Sequence, residues 1–246
     1  MYTTKLALLA AAFLFTCFCQ STLGQYGPDL KVAVWLVPAP ADEARLRGVI
    51  EELVRRHRED GPALRTLRAF GPHATVRAGA LGATNLALDL QGLFTEIEHL
   101  AARQPVVSIA VADPLVATRD IWRQSLFLKL KPAAFPTVFT NNASSDFPLL
   151  AKLWTATDYD APHAFMPHVS LMYLPGTDAS RAQAGDTNLV RAGLVDEARK
   201  LLGDTQAIRF DRLQVVTARS NDFDRYAVDQ NEKWDVIFTA QLAPPR

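Results

Sequence analysis

The sequence predicts an α+β protein made of two similar antiparallel-sheet lobes, with helices packed outside and a cleft between the lobes. Three observations carry this expectation. Strand-like and helix-like segments alternate along the chain. Several neighbouring strand segments are joined by too few residues for a parallel crossover, which favours antiparallel pairing. The pattern Pro-His-x-[Thr/Ser]-apolar occurs twice, as "PHATV" at 72–76 and "PHVSL" at 167–171.

In chain order, "KVAVWLV" (31–37) is a buried strand, followed by "ADEARLRGVIEELVRRHRED" as a helix with Leu46, Val49, Ile50 and Leu53 at helical spacing. "HATVR" is a short strand. "NLALDLQGLFTEIEHLAAR" is a helix that turns Leu90, Leu93, Phe94, Ile97 and Leu100 inward, and "VVSIAVAD" and "SLFLKLK" are further strands. The pattern then restarts with "DFPLLAKLWTAT" as a helix, "HVSLMY" as a strand, and "NLVRAGLVDEARKLLG" as a helix stopped at Gly203. "IRFDRLQVVTA" and "WDVIFTAQL" close the chain as strands.

The first residues read differently. "MYTTK" supplies a positive charge, residues 6–19 form an apolar run, and "STLG" offers small residues to a peptidase. The run is shorter than the roughly 20 apolar residues that span a bilayer. Residues 1–24 are therefore expected to be a secretory signal peptide, and 25–246 a single two-lobed domain, secreted and monomeric, with no membrane association after cleavage. Both cysteines, Cys17 and Cys19, fall inside the leader. A mature chain without them has no disulfide, catalytic thiol or cysteine metal site. Asn142-Ala143-Ser144 matches a glycosylation sequon in a polar loop. The 26 Lys and Arg balance the 26 Asp and Glu. Without a net field to hold a long polyanion, a small ligand is favoured over long nucleic acid.

Side chains alternate faces along a strand, so His73 and Thr75 share one face while Ala74 and Val76 take the other. His168 and Ser170 share a face in the same way. A lone strand histidine reads most simply as a hydrogen-bonded core residue, and a metal site is a second reading. Two copies in the same phase, each introduced by proline, point instead to a shared chemical task, and a histidine two residues from a threonine is poor metal ligation. In "SLFLKLK", Leu126, Leu128 and Leu130 form the buried face and leave Phe127, Lys129 and Lys131 opposite. In "VAVWLV", Trp35 is left opposite Val34 and Leu36, so Trp35 and Phe127 are placed to face a cleft. Strict alternation turns Tyr173 away from His168 and Ser170, so it reaches the site only if the strand ends near Met172. His57 and His99 read as helix-edge residues, and His163 as a loop residue at the rim.

The paired H-x-T-x and H-x-S-x tetrapeptides, 95 positions apart, resemble the signature of the two-histidine (2H) phosphoesterase superfamily. Within it, "VAVWLVP", "PHATV", "SLFLKLKP" and "MPHVSLMY", in that order, resemble the plant and fungal cyclic phosphodiesterases. The resemblance implies hydrolysis of a 2′,3′-cyclic or 1″,2″-cyclic phosphodiester on a small nucleotide, without metal or other cofactor. It implies His73 and His168 as acid and base, Thr75 and Ser170 as phosphate ligands, and Trp35, Phe127 and Tyr173 around the base or sugar. Its rivals are the processing of RNA termini and a secreted binding module without turnover.

Overall fold

The structure, a computed structural model, describes residues 29–56, 71–82, 86–116, 125–131, 136, 146–153, 167–173, 187–218 and 235–245. The leader, the sequon, His57 and His163 lie outside the described residues. The strands are β1 (Asp29–Pro38), β2 (Ala74–Gly82), β3 (Val107–Val116), β4 (Ser125–Leu130), β5 (His168–Tyr173), β6 (Ala207–Ala218) and β7 (Asp235–Gln241). The helices are α1 (Pro40–Arg56), α2 (Leu86–Arg103), α3 (Pro148–Lys152) and α4 (Thr187–Leu202). Every predicted element is present. β2 runs on to Gly82, well past the five residues expected, because β1 pairs with it along its whole length. α3 keeps five residues of the expected helix. Gly203 ends α4 with φ of 53°, a conformation that costs glycine least.

All named strand pairs are antiparallel, as expected. The strand order is β1-β2-β5-β4-β3-β6-β7, with β6 also pairing β1. The two halves, β2-β1-β6-β7 and β5-β4-β3, are therefore joined in one seven-stranded sheet, and six of its strands form a closed circuit of pairings. β6 closes that circuit by dividing one edge: residues 207–210 pair with β3 and 212–217 with β7, while its other edge follows β1. The β2–β5 joint is a single pair, Ala74 with Val169.

The helices cover one face of this sheet. Val32, Val34, Leu36, Ala74, Val76, Leu126, Leu128, Leu130, Val169 and Leu171 share a core with Leu46, Ile50 and Leu53 of α1, Leu93, Ile97 and Leu100 of α2, and Leu194 and Ala198 of α4. These are the residues that alternation and helical spacing turn inward. The opposite face carries a small separate cluster of Ala33, Trp35, Val37 and Val216, with Ala78 against it.

α3 is capped from a distance. Phe147, at its N-terminal boundary, makes no side-chain cap, and the Glu96 carboxylate of α2 accepts from Leu149 N at 2.9 Å and Leu150 N at 2.7 Å. Gly92, one turn earlier on α2, lies so close to Leu149 that an added Cβ would collide with the leucine Cδ1. Replacing Glu96 with alanine strands these amide donors and is expected to cost about 1–2 kcal/mol. Urea unfolding measures this, and an unshifted midpoint would show that the cap contributes nothing.

Candidate active site

The one residue pair joining β2 to β5 organises the site. Continuing the Ala74–Val169 register by one position either way sets His73 across from Ser170 and Thr75 across from His168. Ala74 and Val169 point into the helix-covered core. The four polar residues consequently share the other face as a checkerboard, with the histidines on one diagonal and the hydroxyls on the other. Diagonal positions across such a pair are about 7–8 Å apart.

The flanking strands repeat this arrangement. Thr75 pairs with Trp35 on β1, and Ser170 pairs with Phe127 on β4. Ala74 pairs with Leu36, and Val169 with Leu128. The register slips in both ladders, leaving Val76 as the extra residue in one and Leu171 in the other. The offsets are constant: 168 − 73 and 171 − 76 both give 95 along the histidine strands, and 127 − 35 and 128 − 36 both give 92 along their neighbours. A local twofold axis thus passes between Ala74 and Val169 and relates His73 to His168, Thr75 to Ser170 and Trp35 to Phe127.

Each histidine rests against its half's aromatic ring. Trp35 stacks on His73 with ring centroids 3.6 Å apart and planes 10° from parallel, whereas Phe127 meets His168 edge-on at 5.2 Å. Trp35 is 7% exposed and Phe127 is buried, so both present most of their surface to protein and hold the imidazoles in place. Ser170 is buried, while Thr75 and both histidines are half-buried.

His73 Nδ1 lies 2.8 Å from Gly71 O. A carbonyl only accepts, so Nδ1 carries the proton, and in the neutral ring Nε2 keeps its lone pair. Burial lowers the His73 pKa to about 4, against the bond to Gly71, which raises it, and the charge of His168 lowers it further. The unfolded chain takes up a proton on His73 below its ordinary value of 6.5, and the folded chain does so only below about 4. Stability associated with this group is complete above pH 6.5 and is lost as pH falls towards 4. Denaturant unfolding of the wild type and His73→Gln across this window should show a shallower decline in the variant. Parallel curves would mean that His73 titrates normally.

Tyr173 pairs with Ser125 at the far end of β5. The slip at Leu171 removes the strict alternation assumed for it, and its side chain lies outside the described residues. His99 is exposed on α2. Sequence reasoning put Lys129 opposite the buried leucine face without assigning it a role; it pairs with His168 across the β4–β5 ladder. It missed Gln214, which stands beside Trp35 in the β1–β6 ladder and donates to Thr239 Oγ1 at 3.5 Å. No local pattern announces that neighbour, because the pairing joins the two ends of the chain.

Among the described residues, no group of three or more His, Cys, Asp or Glu could hold a metal ion. A pocket of about 320 Å³ opens elsewhere, between β3, β4 and the end of α4, lined by Leu128, Lys131, Arg199 and Leu202. Leu128 belongs to the helix-side core, so this pocket is on the other face of the sheet from the histidines.

No family model and no curated protein matches the chain. Solved structures do resemble it. Escherichia coli LigT in apo form is 11% identical with a TM-score of 0.42, covering 88% of this chain and 99% of its own. The Thermus thermophilus protein TT0787 is 10% identical with a TM-score of 0.48, covering 89% and 100%. Kluyveromyces marxianus Usb1 is 12% identical with a TM-score of 0.43, covering 75% and 92%. At these scores the likeness carries no functional assignment.

Proposed function

We propose that the chain is a two-histidine phosphoesterase that hydrolyses nucleoside 2′,3′-cyclic phosphates to phosphomonoesters. The checkerboard about Ala74 and Val169 carries this reading. In-line displacement at phosphorus needs a base on the entering water and an acid on the leaving sugar oxygen, on opposite sides of the phosphate. The histidine diagonal supplies that axis. The crossing diagonal of Thr75 and Ser170 offers hydroxyl donors to the non-bridging oxygens, where charge builds up in the transition state.

The two imidazoles then have separate tasks. His73, neutral to low pH and with Nδ1–H held by Gly71, takes the water proton at Nε2 as that oxygen bonds to phosphorus. His168 gives a proton to the ribose oxygen as its bond to phosphorus breaks. Water adds across the ester, one proton is taken and one returned, and the enzyme needs no external reductant, oxidant or metal. The likeness of "PHATV" and "MPHVSLMY" to cyclic phosphodiesterases supports the cyclic substrate. ADP-ribose 1″,2″-cyclic phosphate is a second candidate with the same reacting ring. Export through a cleaved 1–24 leader belongs to this proposal, and N-terminal sequencing of secreted protein tests it.

Incubation with adenosine 2′,3′-cyclic phosphate, followed by product analysis, tests the activity. Ring opening to a monophosphate is expected, and it should persist after exhaustive EDTA treatment. Absence of ring opening, or loss restored by zinc, would overturn the reading.

A further inference from the structure

The local twofold axis makes one departure conspicuous. On β4, His168 pairs with Lys129. On β1, continuing the Leu36–Ala74 register by one residue sets Val37 across from His73. The offset is again 129 − 37 = 92, so Val37 and Lys129 are counterparts. Val37 is 4% exposed and belongs to the apolar cluster around Trp35, whereas Lys129 is half-buried. The site is matched in its histidines, hydroxyls, aromatics and bulges; it differs in charge at this position and, past the bulges, at buried Arg77, whose counterpart is Met172.

Lys129 has no counter-ion among the described residues. The stretches 32–38, 73–78, 126–130 and 168–171, which build both halves, contain no Asp or Glu. A partly desolvated ammonium is costly to leave unpaired, and a site open to substrate is where a ligand can supply the missing anion. The centre of the checkerboard lies midway between β2 and β5, and β4 is the next strand beyond β5. Lys129 therefore stands about one and a half strand spacings, roughly 7 Å, to the side of the phosphorus position. A lysine side chain is long enough to span that offset, so its ammonium can reach a group across the ribose ring.

We infer that Lys129 forms a second anion subsite, which selects cyclic phosphodiesters bearing a further phosphate on the same nucleotide. This rests on the proposed phosphoesterase reading and narrows its substrate. Both halves carry an aromatic ring, but the cation beside β1, Arg212 across from Val37, is already paired with Glu43 and Asp211, whereas Lys129 on β4 has no counter-ion among the described residues. A substrate with a second phosphate on the β4 side matches that asymmetry.

The test compares adenosine 2′,3′-cyclic phosphate with the same compound carrying a 5′-phosphate, on wild type, Lys129→Met and Lys129→Arg. The wild type is expected to favour the 5′-phosphorylated substrate by roughly fivefold in kcat/KM, the worth of one partly solvated charge contact. The preference should fall to near one in Lys129→Met, persist in Lys129→Arg, and shrink as salt is raised. An equal preference in wild type and Lys129→Met overturns the inference, including the case in which both substrates lose equally, since that would put Lys129 on the reacting phosphate. Calorimetric binding of adenosine 3′-phosphate and adenosine 3′,5′-bisphosphate to the same proteins decides the point without turnover. If neither cyclic substrate is opened but the bisphosphate preference depends on Lys129, the hydrolytic reading fails and the subsite stands. If the bisphosphate has no advantage, the subsite fails whatever the activity.

Discussion

Replacing either His73 or His168 with alanine is expected to lower turnover of a nucleoside 2′,3′-cyclic phosphate about 10²- to 10⁴-fold, the usual worth of a positioned acid or base. The fold should survive, because both rings are half-buried and sit on the face opposite the main core. Far-UV circular dichroism and unfolding curves would verify that. The two losses should differ in kind. With a leaving group that needs no protonation, His168→Ala should recover much of its rate, and His73→Ala should stay slow. For the free wild-type enzyme, kcat/KM should fall on the acid side only as pH approaches about 4, where His73 gains its proton. An acid limb centred near 6.5, or equal recovery of both variants with the activated substrate, would show that the roles given to the two rings are wrong. A rate close to wild type in either variant would remove that histidine from the chemistry.

Removing the hydroxyls should be the next most severe change. Thr75→Ala and Ser170→Ala are each expected to lower kcat on the order of 10- to 10³-fold, through lost donors to the non-bridging oxygens. The effect should fall mainly on kcat, because those oxygens gain charge only as the pentacoordinate state forms. Ser170 is 5% exposed and Thr75 is half-buried, so Ser170→Ala should also cost some stability, and Ser170→Thr separates the two contributions by restoring a donor. If both alanine variants turn over at the wild-type rate, the hydroxyls serve only to hold the strands.

Much of this arrangement is legible in the residues themselves. Alternation in "HATV" and "HVSL" is a local property of extended chain, so the shared face of each histidine and hydroxyl follows without knowledge of the partner strands. The helix faces of Leu46, Val49, Ile50 and Leu53, and of Leu90 through Leu100, follow from spacing in the same way. The slips at Val76 and Leu171 left no such signal, because an extra apolar residue against an apolar core changes neither composition nor the apparent period. For that reason strict alternation does not give the register of Tyr173, which pairs with Ser125. The joining of both halves into one sheet depends on β6 pairing with β1 and β3, contacts between distant segments that no window along the sequence contains. Lys129 was visible as a residue on the face opposite the buried leucines, but its meaning emerges only when Val37 is recognised as its counterpart.

The place of β6 also decides when each half of the site can exist during synthesis. β5, β4 and β3 come from residues 107–173, so the strand ladder beside His168 is available once that stretch has left the ribosome. β1 waits much longer for its second neighbour: Val34 pairs with Val215, a separation of 215 − 34 = 181 positions. Until then the strand that supports His73 through Trp35 has an open, strongly apolar edge, the kind of surface that recruits other chains. Closure over so long a loop is slow compared with local pairing. The β1–β2 pair beside His73 emerges first but keeps one edge of β1 open until β6 arrives, whereas the β3–β4–β5 ladder beside His168 is complete within itself by residue 173. A nascent or truncated chain ending before residue 207 would expose β1 to aggregation even though both histidines were already in place in its sequence.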